Sequence, residues 1–268
     1  MKLAYTVASP ETQDPNMLAW RGADLHPICD QLAKLGYAGI DLMLRDPHVL
    51  DTLHVESALK ASGLRIAALS TGQLAKEEKL ALNIPNAQQA IEKTKAVIDL
   101  AAGWNAQVNI GTLRGQISAT NQKQHAAEAL AAITEHANSR GVTVAIEPQT
   151  RAVCNWLNTA SEAIAWMGTY TAHPKILFDV YHALLEEQSI YAALITSRAS
   201  LTYVQLSDTN RLAPGRGTLA FGDIVRVLHA LEYTGYLCIE CRQYPGSAEA
   251  ARQAAEHLSP YLQEIENQ

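Results

Sequence analysis

The chain has 268 residues, of which 48% are hydrophobic and 18% charged, so it can bury a large core. Its 21 Lys and Arg against 27 Asp and Glu give a formal charge of −6, which argues against a general affinity for nucleic acid or anionic membranes. It has no apolar stretch long enough to span a bilayer, and residues 1–14 do not resemble a signal peptide, so we expect a soluble cytoplasmic protein.

Strand-like runs alternate with amphipathic helical stretches along the whole chain. The eight predicted strands cover residues 2–9, 37–44, 64–71, 106–111, 142–149, 175–182, 202–208 and 236–242. A helical stretch follows each strand; we expect Gly36 to end the first helix and Asn86 to cap the helix over 86–103.

This alternation predicts a closed barrel. Strands separated by helices pair in parallel through right-handed crossovers, and eight such units in about 250 residues are typical of a (β/α)₈ TIM barrel. An open doubly wound sheet would normally carry a glycine-rich phosphate turn after its first strand, and residues 6–14 contain no glycine. With no linker or low-complexity segment, the sequence predicts one domain over residues 1–268.

Oxygen-bearing side chains lie near the ends of four consecutive predicted strands. They are Glu147, Asp179, Gln205 and Glu240. Side chains alternate along a strand, so these four meet at the barrel mouth if their faces point inward, where TIM-barrel active sites form. One such side chain at a strand end is better explained by exposure to water, but oxygen-bearing side chains on four consecutive strands favour a common site.

Such a group of side chains predicts a metal site. Three carboxylates packed together repel one another and take up protons, and a divalent cation removes that cost. An oxygen-rich set suits Mg²⁺ or Mn²⁺, with Zn²⁺ and Co²⁺ as alternatives. His182 follows Asp179 by three residues, and it either orients a metal ligand or a substrate hydroxyl, or has only a capping role.

Four segments carry a resemblance to a known family: VAIEPQ (144–149), ILFDVYH (176–182), VQLSDTNRLAPGRGTL (204–219) and GYLCIE (235–240). They resemble the xylose-isomerase-like sugar isomerases and epimerases, a TIM-barrel group that includes hydroxypyruvate isomerases, ketose 3-epimerases and sugar-phosphate epimerases. The resemblance implies that Glu147, Asp179, Gln205 and Glu240 bind the metal, and that Glu147 and Glu240 also transfer protons.

Two features point to different substrates. Many ketose 3-epimerases have His where this chain has Gln205, whereas hydroxypyruvate isomerases are similar to it in having Gln there. The segment NRLAPGRG (210–217) instead resembles the loop of ketose 3-epimerases and sugar-phosphate epimerases. The substrate class therefore stays open between a small sugar, a sugar phosphate and a hydroxy-oxo acid.

The expected reaction moves a proton beside a carbonyl group. The metal would stabilise the enediolate while one glutamate acts as base and the other as acid. Arg211, in the loop after the seventh predicted strand, is a candidate to bind a substrate carboxylate or phosphate. The expected partner is a small sugar or sugar acid, and the exposed faces of barrel helices allow a homo-oligomer.

Other functions are compatible with the same barrel. A metal-dependent dehydratase or lyase would begin with the same proton abstraction, and a non-catalytic barrel would bind a sugar acid without needing two glutamates across a substrate carbon. A DNA-repair endonuclease of this group would need more histidines and acids for several zinc ions, together with a basic groove, and the charge argues against it.

Overall fold

Eight parallel strands form a closed barrel in a computed structural model that describes residues 1–171, 173 and 175–267. The strands are β1 Lys2–Ala8, β2 Gly39–Met43, β3 Arg65–Ser70, β4 Gln107–Ile110, β5 Val144–Ile146, β6 Ile176–Asp179, β7 Leu201–Leu206 and β8 Tyr236–Ile239. Each strand pairs with the next along the chain, and β8 closes the barrel against β1. The predicted single-domain (β/α)₈ TIM barrel is confirmed.

The helices surround the barrel. Over the described ranges the α-helices are α1 Leu25–Lys34, α2 Thr52–Ser62, α3 Gly72–Lys76, α4 Gln88–Trp104, α5 Asn121–Arg140, α6 Ala160–Met167, α7 Val180–Glu186, α8 Ile190–Ser197, α9 Phe221–Ala230 and α10 Ser247–Glu266. Among the helices so described, none combines the length and apolar composition that crossing a bilayer requires.

The sixth strand is shorter than the sequence indicates. It was predicted over 175–182 but ends at Asp179, where the chain turns directly into α7. Asp179 is the N-cap of that helix, and its Oδ1 accepts a hydrogen bond of 2.8 Å from the Tyr181 N–H. His182 therefore lies in the first turns of a helix.

The two predicted helix ends have different outcomes. Gly36 follows Leu35, the C-cap of α1, and its φ of 84° is a left-handed conformation that favours glycine. Asn86 does not cap α4, so that prediction is wrong. The buried Ala87 takes the N-cap position one residue later, without a side-chain hydrogen bond.

A small core inside the barrel shows which way the strand faces point. Ala145, Leu177, Tyr203 and Cys238 are buried in one cluster, separate from the larger core formed with the helices. Each lies two residues before one of the predicted ligands, and side chains two apart in a strand share a face. The faces that end in the predicted ligands therefore point into the barrel.

Candidate active site

A cavity of about 900 Å³ opens at the C-terminal ends of the strands. Glu147, His182, Gln205, Arg211 and Glu240 all line it. Asp179 lies beneath them and is buried, with 2% of its surface exposed. All six residues predicted for the site thus lie at this one end of the barrel.

The strands position the four oxygen-bearing side chains in barrel order. Asp179 pairs with Gln205 across β6 and β7, and Glu147 and Glu240 directly follow β5 and β8. One donor atom each of Glu147, Asp179 and His182 lies within 4.8 Å of the others. Glu240 is joined to this group through Arg211.

Arg211 bridges two of the acids. Its Nη1 lies 2.7 Å from Asp179 Oδ2 and donates a 2.9 Å hydrogen bond to Ser207 Oγ, while its Nη2 forms an ion pair with Glu240. The guanidinium carbon lies 4.8 Å from the centre of the Tyr181 ring. Both terminal nitrogens are therefore engaged with acids of the predicted ligand set, which leaves less of the guanidinium for a substrate anion.

The charges of this group shift each other's pKa. Burial lowers the pKa of Arg211, but the carboxylates of Asp179 and Glu240 outweigh it, so the pKa is raised and the guanidinium stays charged. Burial raises the pKa of Glu147 well above its usual range, and the charges of Glu240 and Asp179 raise it further. Burial raises the pKa of Glu240 to about 7, although the Arg211 charge opposes it.

These shifts bear on both metal binding and proton transfer. Two carboxyl groups with raised pKa values hold protons near neutral pH until a cation displaces them. Groups with a pKa near the working pH are also the most effective general acids and bases. The pair Glu147 and Glu240 can serve either purpose.

His182 is held as a neutral hydrogen-bond donor. Its Nδ1 accepts a hydrogen bond of 3.3 Å from the Thr150 N–H, so the proton of the neutral ring sits on Nε2. That atom lies 3.5 Å from Glu147 Oε1 and 3.7 Å from Asp179 Oδ2. Burial lowers the pKa of His182 to about 4, which keeps the ring uncharged. A protonated Nε2 donates to an oxygen and does not ligate a metal.

Gln205 provides a test of whether the site fits a cation. Its Nε2 faces Asp41 Oδ2 at 3.5 Å, and its Oε1 is buried without a hydrogen-bond partner in the part of the chain that the structure describes. A buried acceptor rarely stays unpaired. An unpaired amide oxygen at the same end of the barrel as three carboxylates completes a donor set that suits a hard divalent cation.

Asp41 in β2 is a part of the site that the sequence analysis missed. It is fully buried, and it accepts hydrogen bonds from Ser70 Oγ at 2.7 Å and from Asn109 Nδ2 at 3.3 Å. Burial raises its pKa to about 6, while these hydrogen bonds oppose the shift. The sequence signal is an acid inside the apolar strand GIDLM, the kind of signal that marked the later strands.

Residues behind Glu147 were also missed. Arg114 has no exposed surface and donates hydrogen bonds to the carbonyl oxygens of Glu147 at 2.8 Å and Gly111 at 2.9 Å. Gln149 Nε2 donates to Glu147 Oε2 at 2.8 Å. These contacts fix both the backbone and the carboxylate of Glu147. Nothing in the sequence pattern marks Arg114, because it lies in a short 3₁₀ turn between two longer elements.

The chain is similar to known proteins in both sequence and structure. The model of the xylose isomerase-like TIM barrel family matches residues 29–261. A ketose 3-epimerase of Arthrobacter globiformis is 26% identical over 235 residues, which cover 83% of this chain and 81% of the relative. A 3-dehydro-D-guloside 4-epimerase of Escherichia coli (strain K12) is 30% identical over 126 residues, 47% of this chain and 48% of the relative.

Solved structures share the fold. A 3-keto-D-glucoside 4-epimerase from E. coli has a TM-score of 0.79 at 20% identity, over 97% of this chain and 100% of the other. A D-allulose 3-epimerase from Methylomonas sp., solved in complex with D-allulose, has a TM-score of 0.78 at 17% identity, over 98% and 97%. At these identities the likeness shows a common barrel and nothing finer.

Proposed function

The chain belongs to the xylose isomerase-like TIM barrel family, and on that premise we propose that it is a divalent-metal-dependent epimerase or isomerase of a small ketose or related sugar. The observation that carries the proposal is the position of two buried glutamates. Glu147 and Glu240 follow β5 and β8, line the same cavity, and have Asp179 and Gln205 between them in barrel order. The epimerase relatives favour epimerisation over transfer between adjacent carbons.

The oxygen atoms of Glu147, Asp179, Gln205 and Glu240 would hold the metal. Carboxylate and amide oxygens favour Mg²⁺ or Mn²⁺ over metals that prefer thiolate or imidazole. A cation held by these residues would supply positive charge that acidifies the proton on the hydroxyl-bearing carbon beside the substrate carbonyl. Arg211 stays charged and keeps Asp179 and Glu240 in place.

The two glutamates carry the proton transfer in this proposal. One takes the proton from the carbon beside the carbonyl, and the other returns a proton to the opposite face of the same carbon. If the proton returns to the same face, the substrate is restored. If it returns to the neighbouring carbon, the reaction is an aldose–ketose exchange. His182 donates its Nε2 proton to a substrate oxygen and so helps to orient the sugar.

Solvent deuterium incorporation tests this function. We expect D-fructose or D-ribulose to exchange the proton at carbon 3 in D₂O with Mn²⁺-loaded protein. We expect Glu147→Gln and Glu240→Gln each to slow the exchange by ~10²–10⁴-fold. The matched control is Glu128→Gln on the exposed face of α5, which removes the same charge away from the cavity.

The same measurement separates the other functions. A dehydratase or lyase gives a product that has lost a leaving group, and a binding protein gives no exchange with any metal. Undiminished exchange in either glutamate variant contradicts the proposed pair.

A further inference from the structure

Three cationic side chains line the mouth of the cavity without ion-pair partners. They are Arg21, Lys76 and Arg242, all exposed, and their side-chain nitrogens make no salt bridge or hydrogen bond within the described residues. By contrast, Arg226 and Arg252 on the outer helices are both paired with glutamates. Exposed cations without partners, such as Lys2, Lys60 and Arg65, also occur elsewhere within the described residues, so what sets Arg21, Lys76 and Arg242 apart is that all three line one cavity.

These cations lie on one side of the barrel mouth. Arg21 belongs to the segment after β1, Lys76 ends α3 after β3, and Arg242 comes three residues after the end of β8. Strands β8, β1, β2 and β3 are consecutive in the barrel, so the segments that follow them are neighbours. The opposite side of the mouth, after β5 and β6, carries Val153 and Leu185, which are apolar.

No exposed acid lines the mouth beside these cations in the part of the chain that the structure describes. Of the residues that the structure describes, the acids lining the cavity are Glu147 and Glu240, and both are buried at its base. Glu77 and Asp14 lie on the same side as Lys76 but outside the cavity lining; Glu77 accepts a hydrogen bond of 2.9 Å from Gln73 Nε2, and Asp14 Oδ2 lies 3.5 Å from the same nitrogen. The exposed charged residues that line the mouth, among those the structure describes, are thus all positive in a chain whose formal charge is −6.

We infer that the substrate carries an anionic group, a phosphate monoester or a carboxylate, on a carbon remote from its carbonyl, and that Arg21, Lys76 and Arg242 bind it. The inference rests on the proposed function, since it takes the reacting carbon to lie at Glu147 and Glu240. A neutral sugar would leave these three cations without a counter-charge, whereas an anion forms charge-assisted hydrogen bonds with them. A positive mouth also attracts an anionic substrate from solution.

A matched series of ketoses tests this inference. D-Fructose, its 6-phosphate and D-fructuronate differ only in the group at the end remote from the carbonyl. D-Ribulose and its 5-phosphate provide the same comparison for a shorter chain. We expect one anionic member to have a kcat/KM about tenfold or more above its neutral partner, and the excess to shrink with added NaCl. Comparing phosphate with carboxylate then identifies the anion.

Variants of the three cations test whether they cause the preference for an anionic substrate. In the triple variant Arg21→Ala, Lys76→Ala and Arg242→Ala, we expect the ratio of anionic to neutral kcat/KM to fall by about tenfold or more. Lys60→Ala is the matched control because Lys60 is an exposed cation on α2 outside the cavity, and this ratio should not change there. An unchanged ratio in the triple variant, or no preference for either anion in the unmodified protein, overturns the inference.

A binding measurement keeps this test separate from that of the proposed function. D-Glucitol and D-glucitol 6-phosphate have no carbonyl, so calorimetry with Mn²⁺-loaded protein reports their affinities whether or not the enzyme turns over a ketose. Preference for the phosphate that the triple variant loses supports the anion site even if no ketose exchanges deuterium. Exchange of neutral ketoses without any anion preference leaves the proposed function standing and overturns the anion site.

Discussion

Gly111 and Glu147 are in direct contact at the base of the cavity, because the Glu147 carboxylate occupies the space that a side chain at position 111 would need. A Cβ on Gly111 would overlap Glu147 Oε2 and would lie 2.7 Å from Gln149 Nε2. Close approach of a functional group to the backbone is thus the reason for glycine at this position.

Replacing Gly111 with Ala should therefore displace the Glu147 carboxylate. We expect Gly111→Ala to weaken Mn²⁺ binding by about 10–100-fold, the usual effect of disturbing a group that supports a metal ligand. Titration calorimetry measures this directly.

Gly103→Ala is the matched control, because a Cβ at position 103 meets no atom within 4 Å. That variant should keep its metal affinity and gain up to about 0.5–1 kcal/mol of stability in α4. Equal metal affinity in both variants would refute the role of this contact.

The Arg211 ion pairs lead to a prediction about stability without metal. Arg211→Met leaves the buried carboxylates of Asp179 and Glu240 facing each other, so we expect the metal-free protein to lose about 3–5 kcal/mol in its free energy of unfolding. Arg226→Met removes an exposed arginine that is paired with Glu264, and it should cost only about 0–1 kcal/mol. Urea denaturation distinguishes the two.

Added metal gives the Arg211 variant a second readout. A divalent cation brings back positive charge beside the same acids, so saturating Mn²⁺ should stabilise Arg211→Met by more than it stabilises the unmodified protein. If Mn²⁺ stabilises both equally, the metal does not bind beside these carboxylates.

The raised pKa of Glu240 predicts how stability depends on pH. Its carboxyl holds a proton up to about pH 7 in the folded metal-free protein, against an ordinary value of 4.5 in the unfolded chain. The folded state therefore binds more protons in this window, and this contribution to stability is lost as the pH rises through about 7. His182 has the opposite effect on stability, because burial lowers its pKa from 6.5 to about 4 and the unfolded chain therefore binds more protons between these values. Above about pH 6.5 the change in stability therefore reports on the acids.

Unfolding measured between about pH 6.5 and 8 should show this loss in the metal-free protein and a smaller loss in Glu240→Gln. Because a cation must displace the same protons, Mn²⁺ affinity should rise over that range. Metal-free protein that becomes more stable as the pH rises there would show that the acids are not held protonated.

The sequence predicted the barrel well because its signals are local. Apolar runs of strand length alternate with helical periodicity, and this alone indicates parallel strands joined by helices. The inward direction of Glu147, Asp179, Gln205 and Glu240 also follows from the period of two within a strand.

Other features of the site depend on contacts between distant residues. The contact of Gly111 with Glu147 and the hydrogen bond from Arg114 to the Glu147 carbonyl join positions that are more than thirty residues apart. The end of β6 was misplaced because a cap at Asp179 competes with strand propensity in ILFDVYH, and one sequence does not show which prevails. Asp41 is an acid in the apolar strand β2, but β2 is separated in the chain from the four consecutive strands that end in Glu147, Asp179, Gln205 and Glu240, so the pattern of those strands does not include it.

Asp41 leads to the last prediction, which concerns the orientation of Gln205. Asp41 accepts from Gln205 Nε2 at 3.5 Å, so the atom left to bind a cation is Oε1, which is buried without a hydrogen-bond partner among the described residues. Without the acceptor the amide is free to rotate and to present its nitrogen, which cannot bind a cation. We therefore expect Asp41→Ala to weaken Mn²⁺ binding by about 10–100-fold. Ser70→Ala is the matched control, since it removes one hydrogen bond to Asp41 and leaves the acceptor of Gln205 in place, so its loss should be smaller.

The variant Gln205→His gives an independent readout of the same ligand. Imidazole should shift the metal preference of the site from Mg²⁺ toward Zn²⁺ and Co²⁺. Unaltered metal affinity in Asp41→Ala, together with unaltered selectivity in Gln205→His, would show that Gln205 does not bind the metal.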